Sequence, residues 1–304
     1  MLYGLIYQWW FWLVIVLVAI AMVLVFLFIK LFPSLWTTIT EYHKIPGETL
    51  VALLGDSLTE GKVGQGYVSL LEHRMRNNGY VFMNAGVAAD TAYNLLNRLE
   101  PVVKSRPDYV VILIGTDDIE AYLRGGYPPN IIQWVKKLPQ AMTPDWFISL
   151  LRQIVQSLQS STTAKIALCS IPILGENLGS SANQGVRLFN RSIKALADEL
   201  QITYLPIYEA MEDFLQSHQR QVGRAFDGSR TNSILFWAVW DHHILGHSWE
   251  DISSHNNLLL TVDTEHFNRL GADMIADRIE AWLRKSPWNL LDSDARDLPK
   301  SISN

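Results

Sequence analysis

Residues 49–61 read TLVALLGDSLTEG, an apolar run that ends at Gly55 and passes directly into Asp56 and Ser57. A run this apolar, without alternating polar residues, predicts a strand of a parallel sheet that is covered on both faces. A serine at the turn after such a strand exposes its hydroxyl at the sheet edge. Its backbone N–H then lies near a helix N-terminus, where an oxyanion can bind. Alternatively, Asp56 and Ser57 are an ordinary helix cap, because both residue types cap helices well.

Four further apolar runs follow along the chain, and amphipathic stretches separate them. The runs are 80–83, 109–114, 165–171 and 202–205. The predicted helices are 67–77, 143–158 (with Thr143 as N-cap), 185–200 and 271–283. Strands that alternate with helices imply right-handed βαβ units in one doubly wound sheet. In such an α/β fold, sites form at the C-terminal ends of the strands.

A second motif, TVDTEHFN at residues 261–268, lies near the other end of the chain. A serine hydroxyl is a poor nucleophile until a base takes its proton. The Asp-x-x-His spacing lets Asp263 hold one imidazole N–H of His266, which fixes the tautomer and stabilises the imidazolium. Alone, this spacing is a weak signal and better fits a solvated surface pair. Together with the serine turn and the strand pattern, it predicts a catalytic set of Ser57, Asp263 and His266.

On these motifs the chain resembles the GDSL/SGNH hydrolase family over residues 49–284. The matching blocks are LLGDSLTEG at 53–61, NAGVAAD at 84–90, GTDD at 115–118 and LLTVDTEHFNRLGA at 259–272. The resemblance implies a three-layer, flavodoxin-like fold with about five parallel strands. It also implies hydrolysis of esters or thioesters without a metal or cofactor. Asp56, Asn84 and Asp118 are expected to support the strand-end loops.

Two positions depart from the family pattern. Ala89 stands where the family usually has Gly, whose backbone N–H serves the oxyanion hole; Ala keeps that N–H if the local backbone does not require Gly. Asp117 stands where the family has Asn, whose amide donates to the oxyanion. An ionised carboxylate cannot donate, and losing one donor typically costs about 10²–10³ in rate. The expected oxyanion hole is therefore the N–H groups of Ser57 and Ala89, with Asp117 as an open third member.

Three interpretations of Asp117 stay open. Burial and the neighbouring Asp56 and Asp118 could keep Asp117 protonated. The enzyme could instead act slowly, or on a different acyl acceptor, with other donors. Finally, the fold could be retained with little catalysis.

The N-terminal segment carries no polar or charged side chain from residue 9 to residue 29. As a helix this stretch is ~32 Å long at ~1.5 Å per residue, enough to cross a bilayer. Trp9, Trp10 and Trp12 cluster at one end, as in an interfacial aromatic belt. A cleaved signal peptide is disfavoured, because no Lys or Arg precedes the run and the run is too long. The sequence predicts a single-pass anchor at 1–31, a juxtamembrane linker at 32–47, a hydrolase domain at 48–286 and a polar tail at 287–304.

The sequence indicates only weakly on which side of the membrane the predicted hydrolase domain lies. Lys30 and Lys44 follow the span and no basic residue precedes it, which by the positive-inside rule places the domain in the cytoplasm. Glu41 and Glu48 dilute this signal, so the side stays open. Two segments, 120–142 and 225–257, are predicted insertions, and their aromatic residues could pack the loops, line a pocket or rest on the bilayer.

The charge and the cysteine and histidine content of the chain bear on nucleic-acid binding, disulfide formation and metal binding. The net charge of −5 gives no reason to expect nucleic acid. The single cysteine, Cys169, excludes an internal disulfide and is predicted to be a buried thiol. His243 and His247 complete no standard zinc spacing, and Gly246 weakens a helix between them.

A divalent cation between Asp56, Asp117 and Asp118 is a further alternative. The serine motif explains Asp56 better, so no metal is expected.

The sequence thus predicts a membrane-anchored hydrolase of carboxylic esters that acts through Ser57. Lipid or lysolipid esters and O-acetyl groups on envelope glycans both fit such an enzyme. One rival is a weak or inactive member of the fold that binds or scaffolds at the membrane, which Ala89 and Asp117 favour. Another is an O-acyltransferase, in which a sugar hydroxyl replaces water.

Overall fold

The computed structural model describes residues 2–31, 39–124, 136, 138–218, 221–228 and 231–285. Helix α1 (Leu2–Leu31) opens the chain. Its segment Gln8–Phe26 has a mean hydropathy of 2.8 and is wholly unburied, so it is long and apolar enough to cross a membrane. The predicted tail at 287–304, linker residues 32–38 and most of the first predicted insertion lie outside the described residues.

The sheet has five parallel strands in the order β2-β1-β3-β4-β5. The strands are β1 Thr49–Gly55, β2 Tyr80–Gly86, β3 Tyr109–Leu113, β4 Lys165–Cys169 and β5 Thr203–Leu205. Every residue of β3, and every residue of β1 after Thr49, is buried. This is the consequence of apolar runs that must be covered on both faces. The predicted α/β fold is confirmed.

Helices cover the sheet on both sides. They are α2 Ser57–Glu60, α3 Tyr67–Met75, α4 Ala92–Leu96, α5 Glu100–Lys104, α6 Thr116–Leu123, α7 Pro144–Ser161, α8 Ser181–Glu199, α9 Ile207–His218, α10 Thr231–His243, α11 Trp249–His255 and α12 Arg269–Arg284. Helices α3, α9 and α12 pack together, and α4, α7 and α8 form a second group. The result is a three-layer arrangement.

Helix boundaries depend on polar caps more than on apolar periodicity. Thr143 caps α7 as predicted, because its hydroxyl accepts from the Trp146 N–H at 3.2 Å. Helix α8 starts four residues before the predicted position 185, since Ser180 caps it. Helix α12 starts at Arg269, where the Asn268 side chain accepts from the Gly271 N–H. The second predicted insertion, 225–257, contains the helices α10 and α11.

The neighbouring strands β2, β1 and β3 end level with one another. Gly55 of β1 is in register with Gly86 of β2 and with Leu113 of β3. A Cβ on Gly55 would overlap the Leu113 carbonyl and the Thr59 side chain, and a Cβ on Gly86 would overlap the Glu60 backbone N–H. The absence of side chains here lets the turn after β1 pack directly onto its neighbours.

Replacing Gly55 by Ala is therefore expected to lower the free energy of unfolding by about 1–3 kcal/mol, because the Leu113 backbone cannot move aside. Gly185→Ala is the matched control. Gly185 lies inside α8, and an added Cβ would meet only ordinary contacts at 3.7 and 3.8 Å. The control is expected to gain about 0.5–1 kcal/mol from helix propensity. Thermal unfolding of both variants in detergent checks the pair, and equal stability of the two would contradict the close-approach argument.

Candidate active site

Ser57 is the first residue of α2 and directly follows β1. Asp56 caps this single turn, since its Oδ1 accepts from the Leu58 N–H at 3.0 Å. Asp56 is fully buried, whereas Ser57 is half-buried. The two interpretations of this motif are thus compatible: Asp56 forms the cap, and the cap presents the Ser57 hydroxyl at the carboxyl edge of the sheet.

Three side chains form a continuous hydrogen-bonded chain at this edge. Ser57 Oγ lies 3.0 Å from His266 Nε2, across 209 residues of sequence. His266 Nδ1 lies 2.7 Å from Asp263 Oδ2. Asp263 Oδ1 also accepts from the backbone N–H groups of His266 at 2.7 Å and Glu265 at 3.0 Å. The predicted residues Ser57, Asp263 and His266 therefore meet in the order that proton transfer requires.

The Asp263–His266 interaction shifts the pKa values of the two side chains in opposite directions. Burial alone would raise the pKa of Asp263, but the charge of His266 and the hydrogen bonds that Asp263 accepts outweigh burial and lower that pKa. Burial alone would lower the pKa of His266, and the charge and hydrogen bond of Asp263, followed by the charge of Asp56, raise it instead. A carboxylate that stays ionised beside a basic imidazole suits a general base.

Glu176, which follows β4, forms hydrogen bonds with the loop that carries His266. The Glu176 carboxylate is 1% exposed and accepts from the backbone N–H groups of Leu259, Leu260 and Thr261 at 2.8 to 3.0 Å. It also accepts from the Thr261 hydroxyl at 3.0 Å. Our sequence reasoning missed this residue. Its only local signal is an acidic residue in the largely apolar stretch that follows β4.

The second block joins β2 to the turn after β1. The Asn84 amide donates to the Thr59 carbonyl at 2.9 Å, and its Oδ1 accepts from the Gly86 N–H at 2.9 Å. Ala89 has φ of 59°, which is left-handed backbone that normally favours Gly. Ala keeps the N–H at this position but adopts a conformation that costs it about 1 kcal/mol or more. The condition that the local backbone does not favour Gly at position 89 is thus not met.

The third block supplies two buried carboxyl groups in the first turn of α6. Asp118 accepts from the Ala92 N–H at 3.0 Å and so ties α6 to the start of α4. Asp117 is 8% exposed, and its buried Oδ2 has no hydrogen-bond partner among the described residues. Burial, followed by the charges of Asp56, Glu120, Asp118 and Asp90, raises the pKa of Asp117 well above its ordinary value. This environment favours a neutral carboxylic acid at that position.

A second carboxyl pair lies beside the catalytic loop. Glu265, between Asp263 and His266, interacts electrostatically with Glu120 of α6, and burial raises the pKa of Glu120. Burial, then the charges of Glu120 and Asp117, raises the pKa of Glu265 well above its ordinary value. Arg124 donates to Glu120 at 3.2 Å, and its charge opposes the rise in the pKa of Glu120.

The side chains considered above as metal ligands lie in two places: Asp56, Asp117 and Asp118 at the edge of the sheet, and His243 and His247 at and beyond the end of α10. Among the residues that the structure describes, no three His, Cys, Asp or Glu side chains are arranged to hold a metal ion. Helix α10 ends at His243, and Gly246 has φ of 76°, so His243 and His247 do not share a helix face. Cys169 is buried, and burial raises the pKa of its thiol.

Residues 53–228, more than half of the chain, match the family described as GDSL-like Lipase/Acylhydrolase. The chain belongs to this family of ester-bond hydrolases. No curated protein matches the sequence.

Solved structures share the fold of this GDSL-like protein at low sequence identity. An acetyl xylan esterase, AlAXEase, is 20% identical with a TM-score of 0.53, and the match covers 77% of this chain and 99% of that one. Axe2, an acetylxylan esterase from Geobacillus stearothermophilus, is 17% identical with a TM-score of 0.54 and coverage of 81% and 95%. LAE5, an alpha/beta hydrolase from the metagenome of Lake Arreo, Spain, is 16% identical with a TM-score of 0.53 and coverage of 78% and 95%.

Removing the Glu176 carboxylate should loosen the catalytic loop. Glu176→Ala leaves three backbone N–H groups without an acceptor, and we expect a loss of about 2–4 kcal/mol of stability. Glu176→Gln keeps one acceptor oxygen and is expected to lose only about 1 kcal/mol. Thermal unfolding in detergent measures the difference. If the two variants were equally stable, Glu176 would not be the support of this loop.

Proposed function

We propose that this chain hydrolyses carboxylic esters through an acyl-enzyme on Ser57. The proposal depends chiefly on the hydrogen-bonded chain from Ser57 through His266 to Asp263. Ser57 Oγ attacks the acyl carbonyl carbon while His266 Nε2 takes its proton. His266 then returns the proton to the leaving alcohol as the ester bond breaks. Water, activated by His266 in the same way, releases the acid and regenerates Ser57.

The oxyanion of the tetrahedral intermediate is proposed to bind the backbone N–H groups of Ser57 and Ala89. Ser57 supports this role because it begins α2, where N–H groups have no intrahelical partner. Asp117 is proposed as the third donor, in its neutral acid form, in place of the family Asn. Its burial and its unpartnered Oδ2 support that assignment. A proton on Asp117 turns a repelling group into a donor.

The proposed substrates are O-acyl esters, either O-acetyl groups on glycans or lipid esters. The fold shared with acetylxylan esterases supports the first class. The second is supported by α1, which we propose crosses the bilayer once through residues 9–29 as a retained anchor. Neither class calls for a metal or cofactor in this mechanism.

A second candidate is transfer of the acyl group to a sugar hydroxyl instead of water. The same Ser57 acyl-enzyme would serve both reactions, and only the acceptor differs. A third candidate, an inactive binding protein, is favoured by the strained Ala89 and by Asp117. Kinetics of Ser57→Ala and product analysis with a glycan acceptor distinguish hydrolysis, transfer and an inactive binding protein.

Ser57 is expected to be essential for turnover. Full-length protein in detergent is expected to hydrolyse short p-nitrophenyl esters, and Ser57→Ala to lower kcat by about 10⁴-fold or more. Turnover that persists in Ser57→Ala would exclude the acyl-enzyme. Adding a glycan acceptor and analysing the products distinguishes transfer from hydrolysis. A folded wild-type protein without any turnover would support the binding-protein alternative.

The pH dependence of kcat/KM is expected to reflect the protonation of His266 and Asp117. His266 must be neutral to act as base, so kcat/KM should rise as pH increases through its raised pKa. Asp117 must be protonated to donate, so kcat/KM should fall as pH increases through the pKa of Asp117. Asp117→Asn donates at any pH. It is therefore expected to remove the alkaline fall and to raise activity there by about 10²-fold.

Asp118→Asn is the matched control for Asp117→Asn. It removes a neighbouring carboxyl group but keeps an oxygen that can accept from Ala92. If both variants raised alkaline activity equally, the cause would be the loss of negative charge and not a new donor. A clear loss of activity in Asp117→Asn at every pH would contradict the donor role.

A further inference from the structure

Helix α10 and the turn that follows it carry both buried and exposed apolar side chains. Ala238 is buried and packs with Ile252 and Val262. Trp237 on α10 is 59% exposed, and Ile244, in the turn directly after α10, is 42% exposed. Leu245, 55% exposed, extends this outer surface. Large apolar side chains that are exposed together mark a surface that contacts a protein or a membrane.

Two observations place this surface beside a membrane. First, α10 lies in contact with α1, the helix that is apolar enough to span a bilayer. Every side chain of α1 between residues 9 and 26 is exposed. An apolar surface that adjoins a bilayer-spanning helix is within reach of the same lipid.

Second, the chain enters the domain at the catalytic edge of the sheet. Ile39 and Thr40 line a shallow cavity together with Glu60, Lys62 and Gly86, just beyond the ends of β1 and β2. Eight chain steps separate Leu31, the last residue of α1, from Ile39. At about 3.5 Å per residue they reach about 28 Å at most. The end of the proposed span therefore lies within about 28 Å of Ile39, which itself lies at the edge of the sheet that carries Ser57.

We propose that the outer surface of α10 and of the turn after it, formed by Trp237, Ile244 and Leu245, rests in the interfacial layer of the bilayer that α1 spans. Tryptophan suits this layer because its ring is apolar and its N–H can remain hydrated. The proposal relies on the membrane span assigned under the proposed function, and it narrows the substrate class. Because Ala238 packs on Val262, which directly precedes Asp263, docking of α10 holds the catalytic loop at the lipid surface. Esters of membrane-resident amphiphiles are then the preferred substrates.

Depth-dependent quenching tests the docking directly. The full chain is reconstituted in phosphatidylcholine vesicles that contain nitroxide-labelled lipids, with a fluorophore on Trp237→Cys or Ile244→Cys. The native Cys169 is buried, so the introduced thiol is the one labelled. Ser160→Cys is the control: it is exposed at the end of α7, on the amino edge of the sheet. We expect quenching at 237 and 244 but not at 160; equal quenching at all three sites, or none, would overturn the proposal.

Activity provides the second test. The double variant Trp237→Glu/Ile244→Glu is expected to lose roughly tenfold in turnover of a long-chain ester in vesicles and to keep its turnover of a soluble acetyl ester. Tenfold corresponds to about 1.4 kcal/mol of lost interfacial binding. Leu188→Glu, an exposed leucine on α8, is the matched control and should affect neither substrate.

Equal losses on both esters, or no loss on either, would contradict the role of α10. If wild type hydrolysed neither ester in a Ser57-dependent way, the proposed function would fail, whereas the quenching result would still decide whether α10 docks.

Discussion

Strand β1 is paired on both edges and covered on both faces, and the site depends on how this strand ends. Gly55 and Gly86 carry no side chain, so β1 lies close to the end of β3 and the one-turn helix α2 packs directly against the end of β2. The Arg98 guanidinium secures this junction by donating to the Gly55 and Ala85 carbonyls at 2.9 and 2.8 Å. The first three motif blocks therefore converge because three parallel neighbouring strands stop at one level.

The fourth block arrives from the far end of the chain and lies in a segment with few regular backbone hydrogen bonds. Such a loop can hold an imidazole at a fixed place only if its polar backbone groups find other partners. Glu176 meets three of its N–H groups, and the Asn268 amide donates to the Ser253 hydroxyl at 2.8 Å and the Leu259 carbonyl at 2.9 Å. A buried carboxylate is tolerated here because several backbone donors offset its lost hydration.

Several carboxyl groups lie at the carboxyl edge of the sheet. Their surroundings favour the ionised form of some and the neutral form of others. Asp263 faces His266 and backbone donors, which lower its pKa and keep it ionised. At Asp117, Asp118 and Glu265 burial outweighs any opposing interaction, including the hydrogen bond from the Ala92 N–H to Asp118, so their pKa values are raised and the neutral form is favoured. Burial also raises the pKa of Asp56, to about 6, although the Leu58 N–H and His266 oppose the shift. A proton can thus be a structural component of this site.

Local patterns of polarity and spacing encode the parallel α/β sheet, the apolar N-terminal helix and the motif residues Ser57, Asp263 and His266, so all of these could be predicted from the sequence. The contacts between distant groups are visible only in the folded chain: Glu176 hydrogen-bonded to the loop that carries His266, Glu265 near Glu120, and Asp117 in a buried site with an unpartnered oxygen. The tertiary structure also decided the positive φ of Ala89 and the outward face of α10. Desolvation and hydrogen bonding depend on neighbours brought together from remote positions in the chain, and no local pattern specifies those neighbours.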